Sequence, residues 1–297
     1  MQTRLLSIVA VSVVSVLALT GCNALSSPAN PQPTPVPKQQ SNVKSIISSP
    51  NPLDAITSPN AQGDIVVLAG TAASRGLYTM SLSDGSISVS QSVSNHATTV
   101  AETNDGTLAI AQSTSASGAV QLVNSSTLKV TQTIPVGGPV RSLVAGASPN
   151  LFYALNGGGK SEGVAVIDAR QGVVTQNIPV SLGTIAIATD GQTLYGLQVN
   201  GDIEAISLSS KKVQYQFHAV KNPIAFTLSP DGQSFYVLKR AGNTENVSVI
   251  NMATESQTKV LAAPRGANSL GVNASGTLLY VGVSTGKSSN VQALKVQ

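Results

Sequence analysis

One short unit recurs along this chain and constrains its fold more than any other feature. Ser229-Pro230-Asp231-Gly232 leads into an apolar run at 235–238. Ser58-Pro59-Asn60 precedes a similar run at 65–68, and Thr103-Asn104-Asp105-Gly106 precedes one at 108–111. Ser148-Pro149-Asn150, Thr189-Asp190-Gly191 and Ala274-Ser275-Gly276 stand before runs at 151–155, 194–197 and 278–281. The units lie about 42 residues apart, a period that belongs to repeat architectures in which each unit buries its apolar faces against its neighbours. The acidic position of the turn is filled variously by Asp231, Asn60, Asn150 and Ser275. A turn needs only a short polar side chain and a nearby glycine, whereas a metal ligand or catalytic acid would tolerate that variation poorly. The recurring aspartate is therefore read as turn chemistry.

Each unit carries further strands. Alternating segments at 164–168, 203–206 and 247–250 follow the turn, then a polar turn such as 168–172 or 208–212, then strands such as 173–180 and 129–136. Four short strands per unit joined by hairpin turns, with no helical period, predict an all-β fold. The period predicts a six-bladed β-propeller of four-stranded antiparallel blades, with a seven-bladed ring as the alternative. The last unit lacks an outermost strand, and residues 42–48 stand before the first inner strand with no other use. They are expected to pair with 290–296 and close the ring, which removes an exposed sheet edge.

The segments 164–180 and 189–197, with 229–238, resemble the YVTN-type β-propeller repeat over nearly all of 42–297. The resemblance is specific for fold and carries little about function. It implies that the connections into the inner strands lie on one face, with the loops between second and third strands. The Pro-Asp-Gly turns would lie on the other.

The N-terminus has a separate logic. Arg4 precedes an apolar run from 5 to 19 that is too short for a comfortable membrane span and reads as a signal-peptide core. It ends in Leu19-Thr20-Gly21-Cys22, which contains the sole cysteine. This resembles the bacterial lipobox, in which the cysteine becomes the lipidated first residue. The resemblance implies a signal peptide at 1–21, lipidation (palmitate among the acyl chains) at Cys22, and export to the cell envelope on a lipid anchor. Pro28, Pro31, Pro33, Pro35 and Pro37 make 22–41 an extended tether that reaches roughly 60 Å at about 3.1 Å per residue. Residues 42–297 are then the propeller domain.

Where could a site lie? One alternation of the inner strands gives Asp54, Thr99, Val144, Thr184, Ala225 and Ser269, small or polar residues expected at the central channel. The other gives Ala55, Val100, Ala145, Ile185, Phe226 and Leu270, expected between blades. At the channel mouth the aligned polar positions are Asn51, His96, Arg141, Ser181 and Asn222, with Arg265 beside Gly266. Arg75, Lys160, Lys221 and Arg240 fall on the same face, which is expected to be mildly basic and able to steer an anionic ligand.

Composition narrows the function classes. Charged residues make up 10% of the chain, the net charge is +4, and there is no Trp. Nucleic-acid binding needs a denser basic stripe and stacking residues, so no nucleic-acid partner is expected. Only His96 and His218 are present as histidines, so no zinc site, metal or cofactor is expected. The sequence reading is a monomeric, membrane-anchored, non-catalytic binding or scaffold module for an envelope protein or an anionic ligand. The alternative is a lactonase-like or other hydrolase centred on Asp54, Asn51, Asn222, His96 and Arg141. A surface-layer or adhesive role is a third reading.

Overall fold

The computed structural model describes residues 44–49, 52–157, 162–181, 183–286 and 289–296, with side chains except at 44–49 and 162. Cys22, the signal peptide, the tether, Asn51 and Lys160 lie outside these residues.

The described residues form 24 strands in six four-stranded antiparallel sheets, with no helix among them. The innermost strands are Leu53–Ile56, Ala97–Glu102, Val140–Ala145, Thr184–Thr189, Pro223–Leu228 and Ala267–Val272. Each packs beside the next, and the first packs beside the last, so the sheets close a ring of six blades. The architecture is a six-bladed β-propeller. The strand Lys44–Ser49 completes the sixth blade, running antiparallel to Ser289–Lys295 with Lys44 opposite Ala293 and Ser49 opposite Ser289. The ring is thus closed by the N-terminal strand, as the unfinished last repeat predicts.

Closure has a visible energetic basis. Six apolar clusters fill the six junctions between neighbouring blades. Phe152 and Ile167 of the third blade pack with Val120 and Ile134 of the second, while Tyr153 and Leu155 face Ile187 and Leu194 of the fourth. The middle strands are therefore buried on both faces, which is why they read as continuous apolar runs rather than as alternations. Each such side chain contributes roughly 1.5–3 kcal/mol when fully buried. Tyr153, Tyr195, Tyr236 and Tyr280 recur at one strand position and lie in four of these junctions. The outermost strands have no layer beyond them, and Ile87 and Val213 are about half exposed (53% and 54%).

The inner strands differ from the simple alternation. Each skips one residue in its pairing with the second strand, at Asp54, Thr98, Arg141, Ile185, Ile224 and Asn268. A bulge reverses which face the following side chains use. The register makes Ala55, Thr99, Ser142, Ala186, Ala225 and Ser269 equivalent. Asp54, Val144 and Thr184 are therefore out of step with Thr99, Ala225 and Ser269. Ala55 and Ala145 are likewise out of step with Val100, Phe226 and Leu270, and Ile185 moves from the interblade set to a bulge.

The recurring turn has the chemistry inferred for it. Asp231 Oδ1 accepts the Gln233 amide at 3.0 Å, and Ser229 Oγ accepts the Ser234 amide at 2.9 Å. Gly232 sits at φ +68°, the left-handed region that favours glycine. Asp231 is held below the usual carboxylate range by its hydrogen bonds with Ser229 and Gln233.

Candidate functional site

The closed ring leaves a central cavity of about 840 Å³. All six bulge residues line it, so every blade contributes at the same level of the axis. Below them come the small side chains of the next register position, and the wall ends at turn residues including Asn104, Asp190 and Asp231. The cavity therefore runs the length of the inner strands and reaches the face bearing the Pro-Asp-Gly turns.

The bulge ring is divided. Asn268, Asp54, Thr98 and Arg141, from four consecutive blades, are polar, while Ile185 and Ile224 make the remaining arc apolar. Most of these groups are fixed by neighbours across blade junctions. Asn268 Nδ2 donates to the Leu53 carbonyl at 2.6 Å, and Ser269 Oγ donates to Asn268 Oδ1 at 3.1 Å. Arg141 Nη1 donates to the Thr184 carbonyl at 3.5 Å, and the side chain of Arg141 is exposed on the wall.

Asp54 and Arg75 form a half-buried pair. Arg75 Nη1 lies 3.1 Å from Asp54 Oδ2 and also donates to the Ala97 carbonyl of the second blade. The contact is an ion pair without a well-aligned hydrogen bond, since Asp54 Oδ2 makes none. Burial pushes the Asp54 carboxyl above its usual range, against the opposing pull of Arg75. At the far end of the wall stands Glu102, whose Oε2 is buried with no hydrogen-bond partner. Burial, with a smaller contribution from the Asp64 carboxylate, raises the Glu102 carboxyl too.

The polar residues singled out in the sequence, so far as they are described, do not all meet on the cavity wall. Among the described members of that set, Arg141 alone lines the cavity. His96, Asn222 and Arg265 are exposed and lie outside its wall. Ser181 is tied to a buried glutamate: its amide donates to Glu204 Oε2 at 3.1 Å and its hydroxyl to Oε1 at 2.9 Å. Arg75 is committed to Asp54, and Arg240 lies 3.9 Å from Glu245, whereas Lys221 is exposed. The cavity residues that sequence reasoning missed are Thr98, Ile224, Asn268 and Glu102. Glu102 had a signal, being a carboxylate that ends an otherwise uncharged inner strand. The others are set by the bulge, which no residue type announces.

The two ends of the cavity differ in charge. The turns between first and second strands, with the strand ends beside them, carry Asp64, Glu102, Asp105, Asp190 and Asp231 around its far end and contain no lysine or arginine. The opposite end has Arg141 on the wall, with Lys221 and Arg265 on the adjoining loops. No group of three or more His, Cys, Asp or Glu side chains among the described residues is placed to hold a metal ion.

No family model matches the chain, and no curated protein matches it. Among solved structures, Kuenenia stuttgartiensis hydrazine synthase is similar with a TM-score of 0.59 at 20% identity, covering 85% of this chain and 76% of that one. A likeness at that identity concerns the fold alone, and 1614 solved chains share it. The comparisons therefore identify the chain as a β-propeller without assigning it an activity.

Proposed function

We propose that this chain is an exported, lipid-anchored propeller that binds rather than catalyses, and that its ligand site is the central channel. The observation that carries the reading is the cavity of about 840 Å³ to which every blade contributes one bulge residue. Its size suits a small ligand, and it combines apolar wall with a few convergent polar groups. Arg141 is the group that would orient an anionic function, because a guanidinium presents five donors in a fixed fork. The hydrolase reading has less support: Asp54 is engaged by Arg75, and His96 and Asn222 stand off the cavity wall. Lipidation at Cys22 would hold the propeller at a membrane through the proline-rich tether, with an envelope protein as a further partner.

A thermal-shift screen of small carboxylates, phosphates and short peptides on the full chain tests the channel assignment. Compounds that raise the midpoint of the wild type and lose that effect in Arg141→Ala support it. Compounds that keep their effect in Arg141→Ala but lose it in Arg265→Ala would move the site to the outer loops. Metabolic labelling with radioactive palmitate tests the anchor: label is expected on the wild type and none on Cys22→Ala.

A further inference from the structure

We propose that the channel binds a short peptide with both termini unblocked, lying along the axis with its carboxylate at Arg141 and its ammonium at Glu102. The inference rests on the channel being the ligand site and names the ligand class.

Three observations carry it. First, the wall bears charges of opposite sign at its two ends. Arg141 occupies the bulge level, while Glu102, Asp190 and Asp231 stand at the turn end with no cation among the turns that join first and second strands. Asp54 does not blur this polarity, because Arg75 sits 3.1 Å from its carboxylate. An ion of one sign alone would be favoured at one end and repelled at the other, whereas a dipolar ligand matches both.

Second, the spacing fits. Arg141 and Thr98 hold the same bulge position, and Glu102 lies four residues beyond Thr98 on the same inner strand. At about 3.3 Å per residue the two levels are separated by about 13 Å along the axis. An extended peptide of about four residues has its charged ends that far apart.

Third, the wall between the charges has room and the right chemistry. Ala55, Thr99, Ser142, Ala186, Ala225 and Ser269 are all small, and Ile185 and Ile224 offer an apolar arc for side chains. Glu102 is part of the wall at the turn end, where a ligand's ammonium group can meet its carboxylate.

Isothermal titration calorimetry on the detergent-solubilised full chain tests this with tetraalanine, N-acetyl-tetraalanine and tetraalanine amide. Tetraalanine is expected to bind, and blocking either terminus to weaken binding by about tenfold or more, the scale of one charge-assisted hydrogen bond. Arg141→Gln should abolish the penalty for the amide alone, and Glu102→Gln the penalty for the acetyl group alone. Circular dichroism and thermal midpoints establish that both variants are folded. If N-acetyl-tetraalanine binds as tightly as tetraalanine and still depends on Arg141, the dipolar reading is overturned while the channel remains an anion site. If no peptide binds at millimolar concentration, yet small anions bind through Arg141, the peptide assignment alone is overturned. Binding that ignores both substitutions overturns the placement in the channel as well.

Discussion

Arg75→Ala isolates the Asp54–Arg75 pair, and the structure gives a magnitude for it. The charges lie 3.1 Å apart, with side-chain exposures of 19% for Arg75 and 29% for Asp54. At an effective dielectric of about 20 their gross attraction is about 5 kcal/mol, and relief of the arginine's own desolvation offsets part of the loss. A net destabilisation of about 2 kcal/mol at neutral pH is expected, which corresponds to a drop of about 4–8 °C in midpoint for a domain of this size. The sign of the pH dependence follows from Asp54. Its carboxyl already titrates above the usual range because burial outweighs Arg75. Without Arg75 only burial acts, so the folded-state pKa rises further and the folded protein binds the proton more tightly than the unfolded chain does. Stability of the variant is then greatest below the unfolded pKa of about 4 and declines as pH rises through the folded value. Near pH 4 the difference from wild type should shrink to the lost hydrogen bond to the Ala97 carbonyl, about 1 kcal/mol. Urea denaturation at pH 4, 5, 6 and 7 reads this directly. A loss within 0.5 kcal/mol (about the scale of a surface substitution) at every pH would refute the pairing and return Arg75 to the solvated surface.

Further outcomes follow from the repeat. Lys211 holds a left-handed conformation at φ 57°, at the turn position that the first and third blades fill with Gly85 and Gly172. Lys211→Gly should therefore stabilise by about 0.5–1 kcal/mol in chemical denaturation, because the side-chain strain removed exceeds the added chain entropy. Gly232→Ala meets no atom within 4 Å yet must adopt φ +68°, so it should cost about 1 kcal/mol on conformation alone, whereas Asp231→Asn should leave the midpoint unchanged. Deleting residues 42–48 removes most of the strand that completes the sixth blade and should lower the unfolding midpoint sharply; an unchanged midpoint would contradict closure by that strand.

How much of this was legible beforehand depends on which physical signal each feature carries. The six turns and the doubly buried middle strands repeat, so blade number, strand order and the closing strand could be read from Ser229–Gly232 and its relatives. The bulges could not, because Asp54, Thr98, Arg141, Ile185, Ile224 and Asn268 share no residue type. Skipping one residue shifts the alternation, and the connections into the inner strands also vary in length. Aligned polar positions such as His96, Ser181 and Asn222 therefore fell outside the cavity, while Thr98 and Asn268 were overlooked. The argument that Asp231 is turn chemistry gives no reason to expect a site on the turn face. That argument concerns what the aspartate does for its own backbone. It left open that the same turns border the channel, together with Glu102, and give its end a negative charge.

The claim on which the rest depends is that ligand is held inside the channel and not on the outer loops. A crystal structure of the full chain with the tightest-binding compound from the thermal-shift screen tests it most directly. The account predicts ligand density on the axis within contact of Arg141, between Ile185 and Ile224 on one side and Thr98 and Asn268 on the other. Density seated on His96, Asn222 and Arg265, with the channel holding only solvent, would contradict it.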